Sequence, residues 1–171
     1  FFQNMMIGKL DGTYKSLLVA PVSLKPTLLE LIERETKKGP KGYIFVKING
    51  LTDEDLIGAL IEASQAGVRI DMVIRGISCL LPGIKGKTEN IHIRSIVGRY
   101  LEHSRIYIFG TGRNQRMYIS SADFMTRNTE RRVEIACPIK DAEIRKRILA
   151  YVDLCLKDNV KARVMGTTGR Y

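Results

Sequence analysis

The sequence predicts an α/β domain in which a mixed sheet is flanked by helices. Short apolar runs alternate with helical segments between residues 15 and 76, and this alternation is typical of parallel strands joined by crossover helices. Two further strands are joined by "GTGRNQ", which has the composition of a hairpin turn. A length of 171 residues suits one core and is too short for two ordinary domains. Residues 1–171 are therefore predicted to form a single domain.

Three strands and two helices are predicted in the first half of the chain. Ser23 is the candidate N-cap of the first helix, and Gly39 is its stop signal. Thr52 and Asp55 resemble a capping box at the start of the second helix, which Gly67 ends. The strands begin near residues 15, 42 and 68 and read "KSLLVAP", "GYIFVKI" and "VRIDMVIRG".

The second half is predicted to add four strands and a long C-terminal helix. The helix covers "KDAEIRKRILAYVDLCLKD", with Asp141 as its cap. Its helical spacing turns four apolar side chains toward the core: Ile144, Ile148, Val152 and Cys155. The strands read "NIHIRSI", "SRIYIF", "RMYIS" and "RRVEIACP".

The charge of the chain predicts an anionic partner. Lys and Arg total 28 against 18 Asp and Glu, which gives a net charge of +10, and such an excess attracts nucleotides, nucleic acid, acidic lipid or another polyphosphate. Aromatic residues make up only 7% with no Trp, which disfavours base stacking. We expect reduced cysteines, no structural zinc, and a cytoplasmic protein with at most peripheral membrane association.

Two segments offer candidate site residues at strand ends, where ligands gather in open α/β sheets. Arg75 ends one strand, where its guanidinium can either hold a phosphate or cap nearby carbonyl groups. His103 precedes the strand "SRIYIF" and alternates in phase with Arg105 and Tyr107. A histidine suits proton transfer or anion binding, although a plain surface histidine is the alternative.

The segment "YISSADFMTRN" places several polar groups after the next strand. Ser120 and Ser121 supply hydroxyl groups, Asp123 a carboxylate, and Arg127 and Asn128 hydrogen-bond donors. These residues either form a site or stabilise a turn through local backbone hydrogen bonds.

The strand "RRVEIACP" alternates polar and apolar residues. Arg132 and Glu134 share one face, and a buried carboxylate there requires a partner. Glu134 is predicted either to orient His103 by accepting its ring N–H or to pair with an arginine.

The order of these segments resembles the C-terminal part of bacterial polyphosphate kinase. The resemblance rests on "IVGRYLEHSRIYIF", "SSADFMTRN" and "VKARVM", and it extends over most of residues 15 to 164. That family has several domains, of which the last two are similar to phospholipase D. The resemblance therefore implies a phospholipase D-like domain. Because the chain begins with Phe1, we expect a fragment, in which Phe1 to about Tyr14 lead in from the preceding domain.

This chain departs from the phospholipase D pattern of a histidine, a lysine two residues later, and a Gly-Ser-x-Asn turn. Arg105 stands at the lysine position, "SSAD" (residues 120–123) at the turn, and Gly110 where an acid usually follows. An arginine keeps the charge but does not lose its proton. These departures argue against a free-standing phosphodiesterase.

The resemblance implies reversible transfer of the ATP γ-phosphoryl group to inorganic polyphosphate through a phosphohistidine in a preceding domain. It implies Mg²⁺, with ligands mainly outside this chain, the preceding domains as partners, and a homo-oligomer; the fragment alone is expected to be inactive. His103 and Glu134 are the implied catalytic residues. The expected ATP and phosphate contacts are Arg75, His103, Arg105, Ser121, Arg127, Asn128 and Arg132. The alternatives are a basic module that binds nucleic acid and a phospholipase D-like phosphodiesterase.

Overall fold

The computed structural model describes residues 1–9, 12 and 14–171. Leu10, Asp11 and Thr13, which belong to the predicted lead-in segment, lie outside the described residues. The strands are β1 (Leu18–Val19), β2 (Tyr43–Ile48), β3 (Arg69–Ile74), β4 (Ile91–Ile96), β5 (Arg105–Phe109), β6 (Arg116–Ser120), β7 (Ile135–Pro138) and β8 (Ala162–Val164). The α-helices are α1 (Phe2–Met6), α2 (Leu24–Thr36), α3 (Glu54–Gln65), α4 (Thr126–Glu130) and α5 (Ala142–Lys157).

The strands form one mixed sheet in the order β1-β7-β6-β5-β2-β3-β4-β8, which confirms the predicted fold class. β2, β3 and β4 are parallel, and every other neighbouring pair is antiparallel. The carboxyl ends of β2, β3, β4 and β6 therefore meet the amino ends of β5 and β7 at one edge. We call this edge the carboxyl edge and the opposite one the amino edge.

Helices cover both faces of the sheet. On one face, α2 and α3 pack over apolar side chains that include Val46, Met72 and Tyr107. On the other face, Val152 and Cys155 of α5 pack over Phe45, Val73, Ile106 and Ile108. Side chains on either face of a central strand are therefore buried. The six residues of β2 are buried except for the partly exposed Tyr43.

The helix caps differ in part from the predictions. Asp141 caps α5 by accepting a hydrogen bond from the Ile144 N–H at 2.9 Å, as predicted. The cap of α3 is Asp53 rather than Thr52, and it accepts a hydrogen bond from the N–H of Leu56. Asp53 is fully buried, so a carboxylate that satisfies helix donors is well suited to this position.

Several other predictions require correction. Ile144 is 46% exposed rather than turned inward, since it lies in the first turn of α5, whereas Val152 and Cys155 are buried as expected. β7 begins at Ile135, so Arg132 and Glu134 precede the strand. The short elements α4 and β8 were not predicted. None of the described helices is long and apolar enough to cross a bilayer.

Candidate functional site

The sheet topology brings the predicted site positions to the carboxyl edge. Arg75 follows β3 and His103 precedes β5, while Ser121 follows β6 and Glu134 precedes β7. Asn128 lies in α4, directly after the turn that leaves β6. In the part of the sheet with the order β7-β6-β5-β2, neighbouring strands run in opposite directions. The end of one strand therefore lies beside the start of the next, and residues that are far apart in the chain share one edge.

An ion pair between Arg105 and Asp123 forms the centre of this edge. Arg105 donates from Nε to Oδ1 and from Nη2 to Oδ2, both at 3.0 Å. Asn49 adds a backbone N–H at 2.7 Å and a side-chain N–H at 3.2 Å to the same Oδ1. Burial alone would raise the pKa of Asp123, but the hydrogen bonds from Arg105 and Asn49 outweigh it and lower the pKa. Asp123 is therefore a fixed anion that orients Arg105.

The guanidinium of Arg105 lies against the imidazole of His103. Nη1 is 3.4 Å from Nδ1, and Nη2 is 3.3 Å from Nε2. A neutral imidazole has a single nitrogen that can accept a hydrogen bond, so the tautomer of His103 determines which of the two contacts is a hydrogen bond from Arg105. Arg105 Nη1 also donates to the His103 carbonyl at 3.2 Å. Arg105 therefore orients both the ring and the backbone of the exposed His103.

A lysine that the sequence reasoning missed supports the loop behind His103. Lys47 in β2 is only 3% exposed, and its Nζ donates to the Ser104 carbonyl at 3.2 Å. The same Nζ lies 3.5 Å from Oε2 of Glu102. Burial lowers the pKa of Lys47, and the Glu102 carboxylate opposes that shift. A charged residue inside the apolar strand "GYIFVKI" was the available signal.

Tyr151 of α5 completes this support. Its hydroxyl donates to Oε2 of Glu102 at 2.5 Å. Ser104 Oγ lies 3.3 Å from the same hydroxyl, and it must act as the donor because the tyrosine proton is already used. Burial raises the pKa of Tyr151, and the hydrogen bond to Glu102 raises it further. His103 is thus flanked by two residues that β2 and α5 hold in place.

Glu134 contacts neither His103 nor an arginine, the two partners that the sequence analysis considered. Its carboxylate accepts hydrogen bonds from the hydroxyl of Ser121 and, at 2.6 Å, from Nδ2 of Asn128. Ser121 Oγ in turn accepts the Ile135 N–H at 3.1 Å. These bonds tie the turn after β6 to the start of β7. The amide N–H of Asn128 that we expected to face a phosphate is engaged within the protein.

Tyr107 also differs from the sequence interpretation. Its side chain is fully buried and its hydroxyl donates to the Ala122 carbonyl, so it does not present a phenol at the edge. Helix α2 covers this face of the sheet, which is why a residue in phase with His103 lies in the core.

Arg75 and His103 line different parts of the carboxyl edge. Arg75 is two residues beyond Val73, whose face α5 covers, whereas Arg105 is two residues before Tyr107 of the opposite face. Arg75 lines a cavity of about 570 Å³ with Ser95, Lys161, Arg163 and others. It also lines one of about 220 Å³ with residues 96–102. His103 lines neither cavity, so contact of both residues with one phosphate stays a prediction.

Arg127 and Arg132 are exposed near the turn that follows β6. Together with Arg75, they keep the carboxyl edge basic even though Asp123 neutralises Arg105. The arrangement offers an exposed imidazole, held by Arg105 and by the loop that Lys47 supports, at an edge that also carries exposed arginines. Such a surface suits an anionic ligand with several phosphates.

Comparisons with known proteins identify the family. Residues 17–171 match the family model described as polyphosphate kinase C-terminal domain 2. The chain is 47% identical over its whole length to the polyphosphate kinase of Staphylococcus haemolyticus. It is 49% identical, over 92% of its length, to that of Pseudomonas aeruginosa. It spans about a quarter of these relatives, 24% and 23% respectively.

Solved structures agree with this result. The crystal structure of polyphosphate kinase from Porphyromonas gingivalis superposes with a TM-score of 0.90 at 39% identity, covering 98% of this chain and 26% of that one. The phospholipase D family member Nuc from Salmonella typhimurium has a TM-score of 0.64 at 17% identity, covering 88% of this chain and 96% of Nuc. The second likeness shows the fold alone. The chain therefore belongs to the polyphosphate kinase C-terminal domain 2 family, and its fold is that of the phospholipase D proteins.

Proposed function

We propose that this domain forms one wall of the active site of a longer protein that transfers the γ-phosphoryl group of ATP to inorganic polyphosphate. The exposed imidazole of His103 supports this proposal, because Arg105 and Lys47 fix it at an edge rich in cations. Polyphosphate kinase relatives support it independently. The preceding domains, a homo-oligomer and a cytoplasmic location belong to the same proposal.

The proposed reaction has two balanced steps. A histidine nitrogen in a segment outside this chain attacks the γ-phosphorus of ATP, and the bond to the β–γ bridging oxygen breaks, so that ADP leaves with that electron pair. A terminal oxygen of polyphosphate then attacks the phosphohistidine, and the P–N bond breaks. Polyphosphate gains one phosphate per ATP. Such transfer depends mainly on positioning and on neutralising oxygen charge, which the guanidinium of Arg75 and the imidazole of His103 are suited to supply.

Mg²⁺ belongs to this proposal, but the residues described here do not form a site for it. No group of three His, Cys, Asp or Glu side chains within residues 1–9, 12 and 14–171 is arranged to hold a metal ion. Asp123 and Glu134 are engaged with Arg105, Asn49, Ser121 and Asn128. We propose that the nucleotide phosphates and segments outside this chain supply most of the Mg²⁺ ligands.

A phospholipase D-like phosphodiesterase is the competing function, and two features disfavour it. Asp123 neutralises the Arg105 guanidinium, so this cation is less available to a phosphodiester. Gly110, at the position where the phospholipase D pattern has an acid, has φ of +78° and cannot accept a side chain easily. A Cβ atom there would lie 3.0 Å from Glu35 Oε1.

The direct test follows the label from [γ-³²P]ATP in the full-length protein with Mg²⁺. We expect acid-labile label on the protein and then label in polyphosphate, with one ADP per phosphate added. Release of the label as inorganic phosphate, or hydrolysis of bis-p-nitrophenyl phosphate in its place, would contradict the proposal.

The Lys47→Met variant tests the support behind His103. We expect unfolding free energy to change by no more than about 1 kcal/mol, because methionine fills the buried space and Glu102 remains hydrogen-bonded to Tyr151. We expect kcat to fall by about 10- to 100-fold with little change in KM, because the Ser104 carbonyl is released and His103 is displaced. Lys157→Met, which removes an exposed lysine, is the control. An unchanged kcat in Lys47→Met would exclude this positioning role.

A further inference from the structure

A groove at the amino edge is lined by basic residues that the proposed reaction does not use. Two cavities of about 360 and 540 Å³ share Arg113, Gln115, Lys140 and Arg145, so they adjoin and together form one basic groove on the surface. We call it the amino-edge groove. Its six cationic residues are Lys15, Arg113, Arg116, Lys140, Arg145 and Lys146.

The described residues that line the amino-edge groove carry charge of a single sign. None of the described residues that line it is acidic, and none of its six cations forms an ion pair with another described residue. By contrast, the groove between α2 and α3 is lined by three acids, Glu30, Glu33 and Glu62. A concave surface with uncompensated positive charge attracts and concentrates anions.

Arg145 gives the amino-edge groove a fixed element. Its Nη1 donates to the Ile139 carbonyl at 3.2 Å, and its Nη2 donates to the carbonyl and to Oε1 of Gln115 at 3.3 and 2.9 Å. These bonds connect α5 to Gln115, which directly precedes β6, and to Ile139, which directly follows β7. The arginine is thus oriented before any ligand binds, which lowers the entropic cost of binding.

The groove and the carboxyl edge lie at opposite ends of the same strands. β5 leads from the His103 loop to the β5–β6 turn that includes Arg113, and its five residues span about 17 Å. A small nucleotide at the carboxyl edge does not reach this far, whereas a long chain of phosphates does.

We propose that the amino-edge groove binds inorganic polyphosphate as a second contact for long chains; this inference rests on the proposed function. A linear phosphate chain offers one negative charge per unit to the row of cations. Nucleic acid is disfavoured because Tyr118, the only aromatic residue among the described lining, is 9% exposed and offers no stacking surface. The groove is expected to retain long chains without changing the chemical step.

The test is the double variant Arg113→Gln/Lys140→Gln in the full-length protein. Both residues are exposed and line both cavities. We expect the Kd of long polyphosphate to rise by about tenfold or more, and the slope of log K against log salt to fall by about two. The KM for ATP and the rate with tripolyphosphate as acceptor, which is too short to reach the groove, should not change.

The matched control is Lys85→Gln/Lys87→Gln, which removes the same charge from an exposed loop elsewhere. If this control weakens long-chain binding equally, the effect is one of net charge and the groove is not a site. An equal loss of single-stranded RNA affinity in Arg113→Gln/Lys140→Gln would instead indicate a general nucleic-acid surface. If Arg113→Gln/Lys140→Gln binds long polyphosphate as tightly as the wild type, the groove proposal is wrong and the proposed function is unaffected. If the wild-type protein neither binds nor extends polyphosphate, the proposed function itself is wrong.

Discussion

Replacing His103 with alanine in the full-length protein is expected to lower the rate of polyphosphate synthesis by about 10²- to 10⁴-fold. The fold should persist, because the His103 side chain is exposed and Arg105 remains paired with Asp123. We expect the unfolding temperature to shift by less than about 3 °C, which corresponds to roughly 1 kcal/mol in a domain of this size. Initial rates and thermal unfolding should be measured on the same preparation.

His103→Gln distinguishes the two roles that the exposed imidazole can have. If His103 only binds a phosphate, the glutamine amide is expected to restore a substantial part of the rate. If it transfers a proton, glutamine should be as poor as alanine, and one limb of the wild-type pH profile should disappear in both variants. His92→Ala is the control, since His92 is exposed in β4 at 3.6 Å from Asp71. A wild-type rate in His103→Ala would remove this residue from the mechanism.

The fold class was predictable because local sequence patterns indicate the helices and strands and the order in which they alternate. Helical segments between β1, β2 and β3 implied crossover connections, and the mixed sheet followed. The segments "TRNTE" and "ARV" were missed since neither has enough apolar periodicity to indicate its structure. Their tertiary neighbours determine them instead: β8, for example, pairs with β4.

The site was predictable in position but not in pairing. Strand ends located His103, Arg105 and Asp123 at one edge, whereas side-chain partners depend on tertiary packing. One clue was present in the sequence. Relative to the phospholipase D pattern, Arg105 stands in place of a lysine and Asp123 in place of an asparagine, and these two replacements have opposite charges that can pair. The structure shows that Arg105 and Asp123 form an ion pair.

Asp123→Ala is expected to lower the free energy of unfolding by about 3 to 5 kcal/mol, because it leaves the Arg105 guanidinium, 12% exposed, without its counter-charge. Two donors of Asn49 lose their acceptor as well. The lowered pKa of Asp123 means that this stabilisation is fully present above the ordinary carboxyl pKa of about 4 and is lost as pH falls through the lower folded value. Urea unfolding at pH 7 and at decreasing pH measures both effects.

The double variant Arg105→Met/Asp123→Leu separates stability from positioning. Removing both charges leaves no unpaired ion, so the free energy of unfolding should recover to within about 2 kcal/mol of the wild type. Synthesis should be slow in both variants. Asp123→Ala removes the carboxylate that orients Arg105, and in the double variant methionine cannot donate to the His103 carbonyl as Arg105 does. If the double variant recovers the rate together with stability, the ion pair supports only the fold. If Asp123→Ala is as stable as the wild type, the ion pair makes no contribution to stability. Recovered stability with a persistent loss of kcat would instead show that the Arg105–Asp123 pair contributes to catalysis separately from its contribution to stability.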